Sequence, residues 1–280
     1  MREDFAVFIC THGRPNAQHT LNTLLTSGYT GKWYLVLDDQ DETINQYIEN
    51  FGPDNILIFD KNHYINSCDT GTNKPQFKCI LYAKVAVEDI AKDMGLTAFV
   101  IADDDLKKFR FRYDCDGSLK SLPVSNMDKV IEAYTDFMLE SNIASTGFGF
   151  AQNFFVGTNC FSNECVQKSR IPYNFVFRNT KFDVPWILCF GEDIGTAIQQ
   201  NKIGQYWMAC VFVQQEIEPL GKMQGGMYDV YHSLSGITLR EYCYIYNPTT
   251  VKIAYYKKDF MNTIIRDTSF PKLVSQNLKK

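Results

Sequence analysis

The sequence predicts an α/β protein, with a Rossmann-like, mostly parallel central sheet, helices on both faces and a smaller mixed region beyond it. Three observations carry this prediction. Through the first 105 residues, short apolar runs alternate with amphipathic segments in the order β-α-β-α-β-α-β, which calls for crossover connections and parallel pairing. Three of those runs end in polar or acidic clusters, Thr11 to Pro15, Asp38 to Glu42 and Asp103 to Asp105, and ligands bind parallel sheets where the carboxyl ends of the strands gather. After residue 105 the alternation is lost, so the second half contributes something other than further βα units.

Composition narrows the class. The chain has 280 residues, 45% of them hydrophobic and 21% charged, as in an ordinary soluble globular protein. A formal net charge of -4 argues against a strongly basic surface, so any nucleic-acid contact has to be local. Nine cysteines, an odd number, show no CxxC pair, and several lie inside apolar runs, as around Cys10, Cys189 and Cys210. Without zinc-type spacing or a signal sequence, a reducing, cytoplasmic setting is expected. No apolar run approaches the roughly 18 residues that would nominate a membrane span.

Taken in order, Phe5-Ala-Val-Phe-Ile-Cys10 is short, apolar and β-rich, a fully buried strand. Pro15 suits the first position of a helix whose Leu21, Leu24 and Leu25 share a face before Gly28. The loop between holds Thr11, His12 and Arg14 where backbone N–H groups and a helix dipole favour anions, and Arg14 can add a bidentate phosphate contact. Trp33-Tyr-Leu-Val-Leu37 is the second strand, ending at Asp38 and Asp39, either of which suits a nucleobase N–H or a ribose hydroxyl. Ile44, Tyr47, Ile48 and Phe51 at i, i+3, i+4 and i+7 mark a helix stopped by Gly52-Pro53. Ile56 to Phe59 gives a third strand, and residues 60–74 read as a polar loop long enough to act as a lid. A longer helix is expected from Gln76 to Met94, with Gly95 as its stop and Lys84 and Glu88 a turn apart on another face.

Next comes Ala98-Phe-Val-Ile-Ala-Asp-Asp-Asp105, an apolar strand ending in three carboxylates. In strand geometry Asp103 and Asp105 share one face and Asp104 points to the other. Adjacent acids at the end of a buried strand repel one another and resist desolvation unless a cation sits among them. A hard divalent ion with oxygen ligands, carrying a substrate phosphate, answers this; read blandly, the three are a solvated turn.

Beyond them Lys107-Lys-Phe-Arg-Phe-Arg112 alternates basic and aromatic residues, as a strand with one basic and one apolar face does; the cations are candidates for phosphate contacts, with a solvated strand face as the default reading. Ser125 with Asp128 resembles a capping box leading a helix through Val130, Ile131, Tyr134, Phe137 and Met138. Residues 143–161 read as strands and turns. Glu192 and Asp193 open a short amphipathic helix through Ile194, Ala197 and Ile198; Asp193 suits an N-cap, and a carboxylate held at a helix start also suits a general base. A strand follows over 206–213. Gly225-Gly-Met-Tyr-Asp-Val-Tyr-His232 places His232 as a candidate third metal ligand, although a lone histidine is more often structural.

With these residues placed, the chain resembles a GT-A glycosyltransferase. Phe5 to Pro15 and Trp33 to Asp39 match its nucleotide-binding strands, Asp103-Asp104-Asp105 its DxD metal motif and Glu192-Asp193 its acceptor-side acidic pair. More narrowly, Phe8-Ile-Cys-Thr-His-Gly-Arg-Pro15, Gly28-Tyr-Thr-Gly-Lys32 with Val36-Leu-Asp-Asp39, Gly225-Gly-Met-Tyr-Asp-Val-Tyr231, Tyr246-Asn-Pro-Thr-Thr-Val-Lys252 and Pro271-Lys272 resemble the phage-type TET/JBP-associated glycosyltransferases over nearly the whole chain. The resemblance implies one GT-A domain over 1–280, with a nucleotide-sugar-binding half (1–105), an acceptor-side half (106–240) and a C-terminal strand and tail (241–280). It implies transfer of a sugar from a nucleotide diphosphate donor, a UDP-sugar by preference, to a hydroxymethylated pyrimidine in DNA, in host cytoplasm if phage-encoded. Asp103, Asp105 and His232 would hold Mn²⁺ or Mg²⁺, Thr11, His12, Arg14, Asp38, Asp39 and Asp104 the donor, and Glu192 or Asp193 would serve the acceptor. Rival readings are a transferase acting on a glycan or lipid, a nucleotidyltransferase, for which the single glycine of Thr11 to Pro15 is too few, and a silent nucleotide-binding or nucleic-acid-binding module.

Overall fold

The computed structural model describes residues 1–71, 79–154, 166–167, 171–219, 223, 251–258 and 261–268. Its elements run β1 (Phe5–Cys10), α1 (His19–Thr26), β2 (Lys32–Asp38), α2 (Ile44–Phe51), β3 (Ile56–Phe59), α3 (Lys61–Ser67), α4 (Leu81–Asp93), β4 (Ala98–Asp103), β5 (Leu106–Cys115), β6 (Ser118–Pro123), α5 (Met127–Glu140), β7 (Ser145–Gly149), β8 (Val166–Gln167), β9 (Phe175–Asn179), α6 (Glu192–Lys202), β10 (Trp207–Ile217), β11 (Val251–Lys258) and β12 (Met261–Thr268).

Ten strands form one sheet in the order β3-β2-β1-β4-β9-β7-β10-β5-β6, with β8 against β10; β11 and β12 make a separate hairpin. The first four strands pair in parallel. From β9 onward the sheet turns mixed: β9 runs antiparallel to both β4 and β7, β10 is parallel to β7, and β5 and β6 are antiparallel additions. The expected α/β class is therefore found, but the sheet is less parallel than the first half alone suggests, because strands after residue 105 continue it with antiparallel pairs. Alternate residues of β1 and β4 face two cores. Phe5, Val7, Ile9, Val100 and Ala102 pack with residues of α1, α2 and α5, whereas Ala6, Phe8, Phe99 and Ile101 pack with residues of α4. Burial of β1 and β4 on both faces is what makes them read as continuous apolar runs.

Several boundaries differ from the sequence expectation. Pro15 does not start α1; Gln18 precedes its first residue, and Thr11 to Asn16 instead form a loop of bends and turns. The segment 60–74, expected as loop, contains α3, whose N-cap is Asp60 accepting from the backbone N–H groups of Asn62 and His63. Helix α4 begins at Leu81, and residues 72–78 lie outside the described residues. The cap of α5 is Asn126, accepting from Lys129 N, not Ser125; Asp128 instead accepts from Thr30 N and Thr30 Oγ1. Helix α6 is preceded by Gly191 in the left-handed conformation, φ 65°, so Asp193 is not its cap. Gly28 ends α1 at φ 83°, and a Cβ there would lie 2.6 Å from Ser125 O, so this corner accepts only glycine. Among the described residues no helix is long and apolar enough to cross a membrane.

Candidate active site

Cys10 of β1 pairs with Asp103 of β4, and Asp38 of β2 lies at the same carboxyl edge of the sheet. The three clusters suspected from sequence thus meet on one rim. Long-range hydrogen bonds tie them together. Thr11 Oγ1 donates to Asp104 Oδ2 at 2.6 Å and lies 2.9 Å from Tyr47 Oη, which in turn accepts from Arg14 N. The Arg14 guanidinium donates to Asp104 Oδ1 at 2.6 Å, with both side chains largely buried. Asp104 is therefore the carboxylate that faces the protein, and Arg14, expected on a phosphate, is committed to it. Burial raises the Asp104 carboxyl above its usual range even against the charges and hydrogen bonds of Arg14 and Thr11.

His12 and Asp38 form a second knot. His12 Nδ1 is 2.8 Å from Asp38 Oδ2, and Lys61 Nζ is 3.3 Å from Asp38 Oδ1. Burial works against the Asp38 charge, but His12 and Lys61 outweigh it and hold its carboxyl below the ordinary value. Asp41 accepts from Gly13 N at 2.7 Å and fixes the loop after β1. Of the two aspartates left open by the sequence, Asp38 is buried and engaged, whereas Asp39 is exposed, with Oδ1 accepting from Lys61 N. Asp39 is the one disposed to meet a ligand.

Asp103 and Asp105 flank Asp104 at the end of β4. Asp103 Oδ2 accepts from Asn174 Nδ2 at 2.6 Å. Asp105 Oδ1 is buried and has no hydrogen-bond partner among the described residues. Burial, then Asp103 and Asp104, push the Asp105 carboxyl up to about 8; burial, with Glu192 and Asp104, pushes Asp103 up to about 6. An orphaned carboxylate oxygen beside two other acids fits a hard divalent cation. Among the described residues no group of three or more His, Cys, Asp or Glu is arranged to hold a metal, so two carboxylates would bind it and substrate oxygens or water would complete its shell. His232 lies outside the described residues.

The residue that sequence reasoning missed is Lys84. It is 2% exposed on α4 and donates to Glu192 Oε1 at 2.9 Å and Asp193 Oδ1 at 2.8 Å, with its ammonium 5.2 Å from the Trp186 ring centroid. Burial alone would lower its pKa, but Asp193, Glu192 and Asp103 together hold it well above normal. Burial, reinforced by Glu192 and Asp103 and opposed by Lys84, pushes Asp193 up to about 7. One turn on, Glu88 accepts from Arg178 Nε at 2.8 Å and Trp186 Nε1 at 3.0 Å. Lys84 and Glu88 at i, i+4 on a helix otherwise packed with apolar residues were the available signal. Their partners are 90 to 109 residues away.

A family model described as TET-Associated Glycosyltransferase matches residues 5–219. The chain belongs to that family. This TET-associated glycosyltransferase has an α/β fold, and it is an enzyme that transfers a sugar. Its fold is similar to that of glucosyl-3-phosphoglycerate synthase from Mycobacterium tuberculosis in complex with Mg²⁺ and UDP, at 12% identity and a TM-score of 0.44, covering 96% of this chain and 88% of that one. It is also similar to the mannosyltransferase PcManGT from Pyrobaculum calidifontis in complex with GDP-Man and Mn²⁺, at 12% identity and a TM-score of 0.48, covering 83% and 61%. A comparison with curated proteins finds no match.

Proposed function

We propose that this TET-associated glycosyltransferase moves a sugar from a nucleotide diphosphate donor, a UDP-sugar by preference, to the hydroxymethyl group of a modified pyrimidine in DNA, with Mn²⁺ or Mg²⁺ bound at the donor. The observation that carries the reading is the carboxylate rim at the end of β4, where the buried Asp105 Oδ1, beside Asp103, lacks a partner among the described residues. Asp103 and Asp105 would hold the cation, which when bound supplies charge neutralisation for the departing diphosphate.

The chain's own residues account for the rest. The loop after β1, fixed by Thr11, Tyr47 and Asp41, offers backbone N–H groups ahead of α1, and exposed Asp39 accepts from the base or ribose. His12, Arg14, Asp38 and Asp104 act as positioning residues, since each is bonded within the protein. Lys84 clamps Glu192 Oε1 and Asp193 Oδ1, so Asp193 keeps its geometry while its Oδ2 has no hydrogen bond among the described residues. A carboxyl held near neutrality matches a general base that takes the proton of the attacking hydroxyl in an inverting displacement. In a retaining reaction the same clamp would orient the sugar. The support for a DNA acceptor is the family match.

The test is mass spectrometry of hydroxymethylcytosine-containing DNA after incubation with a panel of nucleotide sugars and Mn²⁺ or Mg²⁺. A mass gain of one hexose or pentose per modified base is expected. Sugar appearing only on a glycan or lipid acceptor, with DNA unmodified throughout, would refute the acceptor.

A further inference from the structure

We infer that one face of the β5–β6 hairpin is the surface on which the acceptor strand lies, with its bases stacked on exposed aromatic side chains beyond the transfer site. The inference rests on the DNA-acceptor reading and specifies where the polymer is held. Strand β5 begins one residue after Asp105, so the hairpin grows directly out of the carboxylate rim and forms the outer edge of the sheet. Its pairing register sets Phe111 opposite Leu122 and Tyr113 opposite Lys120, which puts these four side chains on one face. Nearer the site that face is core, since Phe109 is buried against Phe148 and Phe175. Farther out it emerges: Phe111 is 37%, Tyr113 38% and Leu122 54% exposed.

Scattered apolar residues need no explanation, but three adjacent ones on a protruding edge hairpin do. Charge identifies the occupant. In a chain of net charge -4, the hairpin carries Lys107, Lys108, Arg110, Arg112 and Lys120 against Asp114 and Asp116. Arg110 and Arg112 alternate with Phe111 and Tyr113 and so lie on the opposite face, on Ser121 Oγ and over the Phe154 ring, which leaves Lys120 as the cation beside the exposed aromatic pair. Lys107 and Lys108 are paired with Glu218 and Glu216, but at half-exposed positions where such pairs are weak and readily exchanged for phosphate. Exposed aromatic rings with a cation on the same face suit single-stranded nucleic acid, where unstacked bases find a π-surface and Lys120 meets a backbone phosphate. From Asp105 to Tyr113 is eight residues, about 26 Å of strand, or about eight nucleotides at B-form spacing.

The experiment compares the full-length wild type with a Phe111→Ala/Tyr113→Ala double variant and with Lys120→Ala. Binding of an unmodified 20-nucleotide single strand is measured first. Transfer is then followed onto the hydroxymethylcytosine deoxynucleoside and onto a 20-mer carrying one such base. Expected are about tenfold weaker 20-mer binding for the double variant, a smaller, salt-dependent loss for Lys120→Ala, a raised KM for the 20-mer alone, and unchanged transfer to the nucleoside. Unchanged 20-mer binding, or equal losses on both acceptors, overturns the assignment. Should the wild type fail to modify either acceptor, the acceptor reading fails, while the binding measurement still decides whether the hairpin holds a strand.

Discussion

Replacing Asp105 by Asn should make the metal-free protein more stable while abolishing the stabilisation that a divalent cation gives. The Asp105 carboxyl is raised from 3.8 to about 8 by burial and by Asp103 and Asp104. A carboxyl whose folded pKa lies above its unfolded one contributes stability that is complete below about pH 4 and is lost as pH rises through about 8. Each unit is worth about 1.4 kcal/mol, which sets an upper bound of about 6 kcal/mol at high pH. Three neighbouring acids share that repulsion, so removing one charge should recover about 1–3 kcal/mol, or roughly 2–5 °C in Tm for a domain of this size. Thermal melts in chelator from pH 5 to 9 should show the variant's advantage growing with pH. Added Mn²⁺ should raise the wild-type Tm, by about 2.7 kcal/mol of stability at a hundred times Kd, and leave the variant almost unmoved. A variant no more stable than the wild type at pH 8.5, or one that Mn²⁺ stabilises equally, would refute the assignment of these carboxylates as a cation site.

Lys84→Met should destabilise by about 3–5 kcal/mol by stranding Glu192 and Asp193, visible in denaturant melts, and should lower kcat by more than it raises the donor KM. Arg178→Met should cost a similar amount through unpaired Glu88, and the Glu88→Met/Arg178→Met pair should recover most of it in the same melts. Asp39→Ala should raise the donor KM about tenfold with little change in Tm, because its side chain is exposed; donor titrations at saturating acceptor check this. Gly28→Ala should lower stability by about 1–3 kcal/mol, since φ 83° and the carbonyl of Ser125 both oppose a Cβ.

Much of the first half was legible because its strands are buried on both faces and so appear as unbroken apolar runs closed by polar clusters. That pattern gave the three loops of the rim and the order of β1 to β4. What the pattern lacks is any record of partners distant in sequence. Arg14 looked free for phosphate because Asp104 lies 90 residues on, and Asp38 looked equivalent to Asp39 until Lys61 and His12 closed around it. The mixed half of the sheet was harder for a related reason: β9, β7 and β10 insert between β4 and β5, so consecutive strands are not neighbours. Short-range signals also misled at helix ends, where Ser125 and Asp193 had the right chemistry for caps but Asn126 and Gly191 took the positions.

Lys84 explains how two acidic clusters far apart in the chain coexist at one edge. Asp103, Glu192 and Asp193 are three carboxyl groups drawn toward one buried ammonium, and the shared cost appears as raised carboxyls at Asp103 and Asp193, while Asp105 is opposed only by Arg14. One cation satisfies Glu192 and Asp193 by hydrogen bonds and reaches Asp103 only through space, so the rim at Asp103 and Asp105 stays short of positive charge. A site in that condition favours a divalent cation at the rim without needing to rearrange the acceptor side. It also makes the two clusters interdependent, because removing Lys84 leaves Asp103, Glu192 and Asp193 unneutralised together. Lys84→Met should therefore bind Mn²⁺ more tightly than wild type while transferring less sugar, a pairing that simple unfolding does not produce. Isothermal titration of both proteins with Mn²⁺ decides it, and weaker binding by the variant would show that the lysine serves α6 alone.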